Sequence, residues 1–241
     1  MKNHLLVIAC FLLMSSVVFA QDSLIIENLR GHIYELSLEQ QKITGPGAGF
    51  LEDIAQKSPF FLIGEDHGLA EMPLFTAAVL KAFRPFGYKY LATETGPYTA
   101  AYLEQLAGQD GWMETYASFL KEYPWSIPFY GWEEECRMLD ALLVDNENEG
   151  PLLWGLDQEF AAGYRLNFLQ LVDQAEAPES KALAKRYYDR AISAYEASFG
   201  KGNPQAALMM QLQASDFDSL KQVFAQESDN LNRINELERT P

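Results

Sequence analysis

Apolar and polar residues follow several different rhythms along this chain, and each rhythm predicts a different element. The first is a nearly unbroken apolar run from Leu5 to Phe19, interrupted only by Ser15 and Ser16, with Lys2 before it and Ala20 and Gln21-Asp22 after it. A basic start, an apolar middle and a small-residue end predict a cleavable signal peptide over residues 1–20, with Gln21 as the mature N-terminus. The run is too short and wrongly flanked for a stop-transfer helix, and no second stretch approaches the ~20 apolar residues of a membrane span. Lipid attachment at Cys10, in Val7-Ile8-Ala9-Cys10, is a rival reading. It is disfavoured because only Leu5–Ala9 precede that cysteine and most of the apolar run follows it.

The rhythm from Leu24 to Leu38 is mixed, and the brief alternation at His32-Ile33-Tyr34-Glu35-Leu36 predicts short strands. Gly45-Pro46-Gly47-Ala48-Gly49 reads as a loop, and Phe50–Lys57 as a short helix. Phe60-Phe61-Leu62-Ile63 is wholly apolar and stops at Gly64, the pattern of a strand buried on both faces of a parallel sheet. From Leu69 onward Met72, Phe75, Val79, Ala82, Phe83 and Phe86 recur at helical spacing, with Pro73 near the start and Pro85 and Gly87 at the end. Tyr88–Ala92 predicts a second strand, leading through Thr93-Glu94-Thr95-Gly96-Pro97 into a helix over Tyr98–Ala107.

A helical pair follows, Trp112–Glu122 and Glu133–Asp145, on either side of the aromatic segment Tyr123–Trp132. Pro151–Leu156 predicts a third strand that ends at Asp157, and from Phe160 to about Glu238 the pattern is helical and increasingly charged. Strands alternating with helices predict an α/β fold: a mostly parallel sheet with flanking helices and a helical C-terminal part, in a single domain over residues 21–241. Ligands bind such sheets at the carboxyl ends of the strands. The predicted strands end in Glu65, Glu94 and Asp157, with His67 two residues past the first, so four ionisable groups are expected on one rim.

Charge and cysteine content narrow the partners. The formal charge is −16, and loss of the leader removes one further cation, Lys2. Such a surface repels nucleic acid and anionic lipid and favours a small-molecule substrate, neutral or cationic. Of the two cysteines only Cys136 remains after leader cleavage, so no intramolecular disulfide is expected. Its place in an amphipathic helical pattern suits a small buried residue better than a nucleophile.

Gly64-Glu65-Asp66-His67-Gly68 carries the most chemistry. A glycine on each side lets the chain turn sharply and leaves room for a ligand near the main chain. Glu65 and His67, two apart on a nearly extended segment, are expected to point the same way. A carboxylate beside an imidazole raises its basicity and fixes its tautomer, as a general base acting on water requires. The same pair suits metal ligation, with Glu94 and Asp157 completing an oxygen-rich shell, and the residues alone leave both open.

Around this pair, Asp66 is a candidate cap for the following helix, and Glu71 falls in its first turn. Arg84 is expected near that helix's C-terminal end. Trp125, Phe129, Tyr130 and Trp132 suit either an apolar substrate pocket or the core. There is no Gly-x-Ser-x-Gly elbow and no glycine-rich phosphate loop, which argues against a serine-hydrolase mechanism.

Three ordered segments, Phe61–Glu71, Tyr90–Pro97 and Leu153–Asp157, together resemble the erythromycin esterase-like family. That family is grouped loosely with the ChaN-like haem-binding lipoproteins and the TraB/TIKI proteins. The resemblance implies an α/β fold with a cleft at the strand ends, in which Glu65, His67 and Glu94 activate water for attack on an ester or lactone without a required metal. Asp157, Glu71, Trp125 and Tyr130 are the expected substrate-side residues. The pattern departs from the family in the shorter Glu-to-His spacing, in offering Lys81 and Arg84 only at spacings other than that of the family's arginine, and in lacking the family's second, distant histidine, since the mature chain has only His32 and His67. These departures imply a member lacking the family's C-terminal part, or diverged chemistry. The alternative functions are a ChaN-like protein that holds haem or a metal ion through His67, nearby acids and Tyr98 or Tyr130, and a truncated inactive relic. An exported location, periplasmic or extracellular, follows from the leader.

Overall fold

The computed structural model of the protein describes residues 25–39, 41–64, 66–144, 146, 150–159 and 162–239. The expected leader, with Cys10 and Gln21, and the motif residue Glu65 lie outside the described residues. The chain divides into two compact units, Met1–Pro59 and Phe60–Pro241, each considered by itself.

In the first unit, residues 25–30 are helical (α1). Two three-residue strands follow, β1 (Ser37–Glu39) and β2 (Lys42–Thr44), paired antiparallel with Leu38 opposite Ile43. The alternating stretch 33–36 is not itself a strand. The glycine-rich stretch expected as a loop opens helix α2 (Pro46–Lys57), because Pro46 is already set for a first helical turn. Gly45 just before it has φ of 89°, a conformation that suits only glycine comfortably. The Tyr34 and Phe50 rings stack with centroids 4.6 Å apart.

The second unit is mainly helical. Its elements are α3 (Glu71–Phe83), β3 (Leu91–Thr93), α4 (Pro97–Ala107), α5 (Trp112–Glu122), α6 (Glu133–Val144), β4 (Leu153–Gly155), α7 (Gly163–Gln174), α8 (Pro178–Tyr195), α9 (Ala214–Val223) and α10 (Ser228–Arg239). A π-helical turn, Glu196–Gly200, continues α8. Strands β3 and β4 pair in parallel, with Leu91 opposite Leu153 and Thr93 opposite Gly155, and α4, α5 and α6 form the connection between them.

The mostly parallel α/β sheet expected from the sequence is not what forms. Helix accounts for 63% of the described residues and strand for 6%, in two sheets of two short strands each. Phe60–Ile63 joins no ladder among the described residues. Its alternate side chains have different fates: Phe61 packs edge-on against Phe83, while Phe60 and Leu62 are 80% and 92% exposed. The physical reason is one-sided cover. A continuous apolar run builds a central strand only if helices bury both faces, and here Trp154 and Leu156 also turn outward, 47% and 71% exposed.

Two cores organise this unit. The first gathers Leu80, Ala100, Leu103, Trp112, Tyr116, Leu139, Leu142 and Leu153 from α3 to α6 and β4. The second gathers Tyr164, Phe168, Leu183, Tyr187, Phe217, Leu220, Ile234 and Leu237 from α7 to α10. Helix α7 serves both, because Leu166 belongs to the first core and Tyr164, Phe168 and Leu171 to the second. Cys136 is buried, its thiol donates weakly to the Tyr130 carbonyl at 3.7 Å, and burial pushes the thiol's pKa up to about 11. No helix of the described residues is long and apolar enough to cross a membrane.

Candidate functional site

The site follows from where β3 and β4 stop. Their ladder continues past the strands themselves: Leu156 N–H donates to the Thr93 carbonyl at 3.2 Å and Asp157 N–H to the Thr95 carbonyl at 3.1 Å. Glu94 and Asp157 therefore leave the sheet side by side at its carboxyl end, and both are exposed. Gly155 makes this close approach possible. A Cβ there would stand 2.3 Å from the Gly96 carbonyl oxygen and 2.7 Å from the Pro97 nitrogen, so only glycine lets the end of β4 lie against the start of α4.

His67 reaches the same rim from the turn before α3. Its Nε2 lies 3.6 Å from Glu94 Oε2, and the two side chains are 40% and 60% exposed. That separation is slightly longer than a direct hydrogen bond. The other side of the imidazole is defined by Phe129, whose ring stacks on it at 4.1 Å between centroids and 11° between planes. Phe129 has φ of 66°, and Trp125 four residues earlier has φ of 61°. Bulky side chains rarely adopt this left-handed backbone, which costs of order 1–3 kcal/mol at each position. The aromatic segment between α5 and α6 is thus held in a strained path where it meets the histidine.

The remaining predicted residues are more dispersed. Trp125 is 63% exposed, whereas Tyr130 is buried in the first core. Asp157 accepts the N–H of its neighbour Gln158 at 2.7 Å. Glu71 is exposed in the first turn of α3, where a carboxylate suits the helix dipole. Asp66 does not cap that helix: the cap position is Ala70, and no side chain bonds to it. Arg84 sits at the end of α3 and donates to the Leu142 carbonyl at 2.9 Å, tying α3 to α6.

One group at this rim escaped the sequence patterns. Glu159, two residues beyond Asp157, is fully buried. Its carboxylate accepts the Tyr98 and Thr99 N–H groups at 2.8 and 3.0 Å, the Thr99 hydroxyl at 2.5 Å and the Asn167 amide at 2.9 Å. It thereby caps α4, whose own cap residue Gly96 has no side chain. The negative charge is balanced at one remove. Arg233 Nη1 donates to Asn167 Oδ1 at 3.0 Å, and its guanidinium lies 4.3 Å over the Tyr98 ring. Burial lowers the pKa of that guanidinium to about 10, while Tyr98 and Glu159 work against the shift. This is a brace for the rim, with every oxygen of Glu159 engaged.

Among the described residues, no three His, Cys, Asp or Glu side chains converge closely enough to hold a metal ion. Of the two tyrosines considered beside His67, Tyr130 is enclosed in the core, and the guanidinium of Arg233 lies over the ring of Tyr98. Comparison with protein-family models, with curated proteins and with solved structures found no match to this chain.

Proposed function

We propose that this protein is an exported hydrolase of the erythromycin esterase-like type that cleaves an ester or lactone by attack of water activated at His67. The observation that carries this reading is the His67–Glu94 pair at the carboxyl end of the parallel strands, with Phe129 stacked on the imidazole. In this scheme neutral His67 takes a proton from water as the water oxygen bonds to the substrate carbonyl carbon. Glu94 stabilises the resulting imidazolium. Collapse of the tetrahedral adduct breaks the bond to the alkoxide, which takes the proton from His67, leaving a carboxylic acid and an alcohol. Glu65 would orient the imidazole and Asp157 would shape the charge of the rim. Exposed Trp125 offers an apolar surface to the substrate.

The test is hydrolysis of a panel of activated esters and lactones by the purified protein, with and without chelator. Turnover should survive chelator, fall by about 10²-fold or more in His67→Ala, and fall less in Glu94→Gln. Equal rates in the parent and His67→Ala, or no turnover on any member of the panel, would overturn the proposal.

A further inference from the structure

The aromatic segment between α5 and α6 is anchored on both sides of Phe129. Ser126 is completely buried, and its N–H donates to the Tyr123 carbonyl at 3.2 Å. Ile127 and Tyr130 belong to the first core, and the Tyr130 carbonyl receives the Cys136 thiol. Phe129 stands between these anchors without joining that core, and it is only half-buried. The ring it meets is that of His67, from a distant part of the chain.

The backbone at Phe129 is one that glycine accepts freely and a bulky residue does not, with φ of 66°. Strain of this kind persists only where the surroundings hold it, and it collects at sites of function. With both flanks fixed, the left-handed turn decides where the ring points. A change of φ there would swing it away from the imidazole.

Stacking restrains a histidine in a particular way. The imidazole turns about two side-chain bonds, and both of its nitrogens lie in the ring plane. The Phe129 ring is centred 4.1 Å away and lies only 11° from parallel, so tilting drives the two rings together. The nitrogens, at the ring edge, are not covered by it, and the Nε2 edge is the one that faces Glu94. A reacting group has to be held to within about 0.5 Å and 10–20° of its working geometry by packing of this sort.

We propose that Phe129 is a positioning residue that fixes the plane of the His67 imidazole at the rim. It acts through the histidine rather than on the substrate. This rests on the reading of His67 as the base that activates water, and it adds to that reading the group that aims the base.

The experiment combines proton NMR and ester hydrolysis on the purified protein and on Phe129→Leu, Phe129→Gly and Phe129→Tyr. In the unaltered protein the ring current of Phe129 should hold the carbon-bound protons of the His67 imidazole upfield of those of the exposed His32. They should move toward the His32 positions in Phe129→Leu and stay in place in Phe129→Tyr. On an ester that the unaltered protein hydrolyses, kcat should fall about tenfold or more in Phe129→Leu, with KM changed by less than about twofold, and Phe129→Tyr should keep the full rate. Phe129→Gly should be as slow as Phe129→Leu although it releases the backbone strain, which separates loss of the ring from loss of the strained path. His67 protons that coincide with those of His32 in the unaltered protein, or a full kcat in Phe129→Leu, would overturn the proposal. If no ester is hydrolysed while the His67 protons still move on loss of Phe129, the fixing of the imidazole stands and the hydrolase reading alone fails.

Discussion

Residues 60–159 and 162–239 bury their apolar side chains with unequal success. The later region closes on itself: Phe168, Leu171, Leu220, Phe224, Ile234 and Leu237 are completely buried, and its polar groups are tied across long sequence distances. Tyr164 donates to the Leu237 carbonyl at 2.8 Å and Tyr187 to Asp216 Oδ1 at 2.8 Å. The earlier region encloses one side of its sheet and leaves Phe60, Leu62, Trp154 and Leu156 in solvent. It also holds the strained aromatic segment and the exposed His67–Glu94 pair. The difference shows where constraint has been placed: the C-terminal helices fix the structure, and the chemistry-bearing groups stand on the less enclosed part.

The largest expected effect sharpens this contrast. Phe168→Ala, in the enclosed core, should cost about 4 kcal/mol of stability in urea denaturation. Glu159→Ala should follow at about 3 kcal/mol, because it strands four donors and leaves Arg233 as a buried charge without its balancing partner. Gly155→Ala should cost about 2 kcal/mol by driving β4 and α4 apart, and it should lower any His67-dependent turnover as well. If Gly155→Ala left stability unchanged, the tight junction behind the rim would not be a structural requirement.

Acid should weaken the enclosed region. Burial opposes ionisation of Asp216, but hydrogen bonds from the Gln213 backbone, Tyr187 and Arg190, with the charge of Arg190, outweigh it and hold its pKa below the usual value. Burial likewise opposes ionisation of Glu227, and Ser180, Asn230 and the N–H groups of Glu176 and Ala177 outweigh it. Carboxyls whose pKa is depressed by folding stabilise the protein fully above their unfolded value, about 4, and lose that contribution as pH falls through the folded one. The urea midpoint should therefore hold steady down to about pH 5 and drop as pH falls below about 4, and less so in Asp216→Asn. The smallest effect belongs to the open face: Leu62→Ser should change stability by no more than about 0.5 kcal/mol. A large loss there would show that the face is covered in solution.

The helices were legible because their signals are local. Trp112–Glu122 matches α5 end to end, and apolar spacing located α3, α4 and α6 to within a few residues. The parallel pairing of β3 and β4, and the meeting of His67 with Glu94, followed from acids placed at the ends of apolar runs. The extent of the sheet did not follow, since Phe60–Ile63 cannot state whether a second layer covers it. Distant caps were equally hidden. Helices α4 and α8 both begin at proline, after Gly96 and Ala177, which lack a capping oxygen. Glu159 supplies that oxygen to α4 from about 60 residues away in sequence, Glu227 holds the Glu176 and Ala177 N–H groups just before α8 from about 50 residues away, and no periodicity marks either. Phe129 showed as an aromatic but not as the ring that stacks on His67, because that depends on two left-handed residues that are not glycine.

Helix α7 has a consequence for how the molecule comes apart. With Leu166 in one core and Phe168 and Leu171 in the other, neither core can dissolve while α7 stays docked to both. The backbone amides of α7 should therefore be among the slowest to exchange with deuterium, released only when residues 60–239 open as a whole.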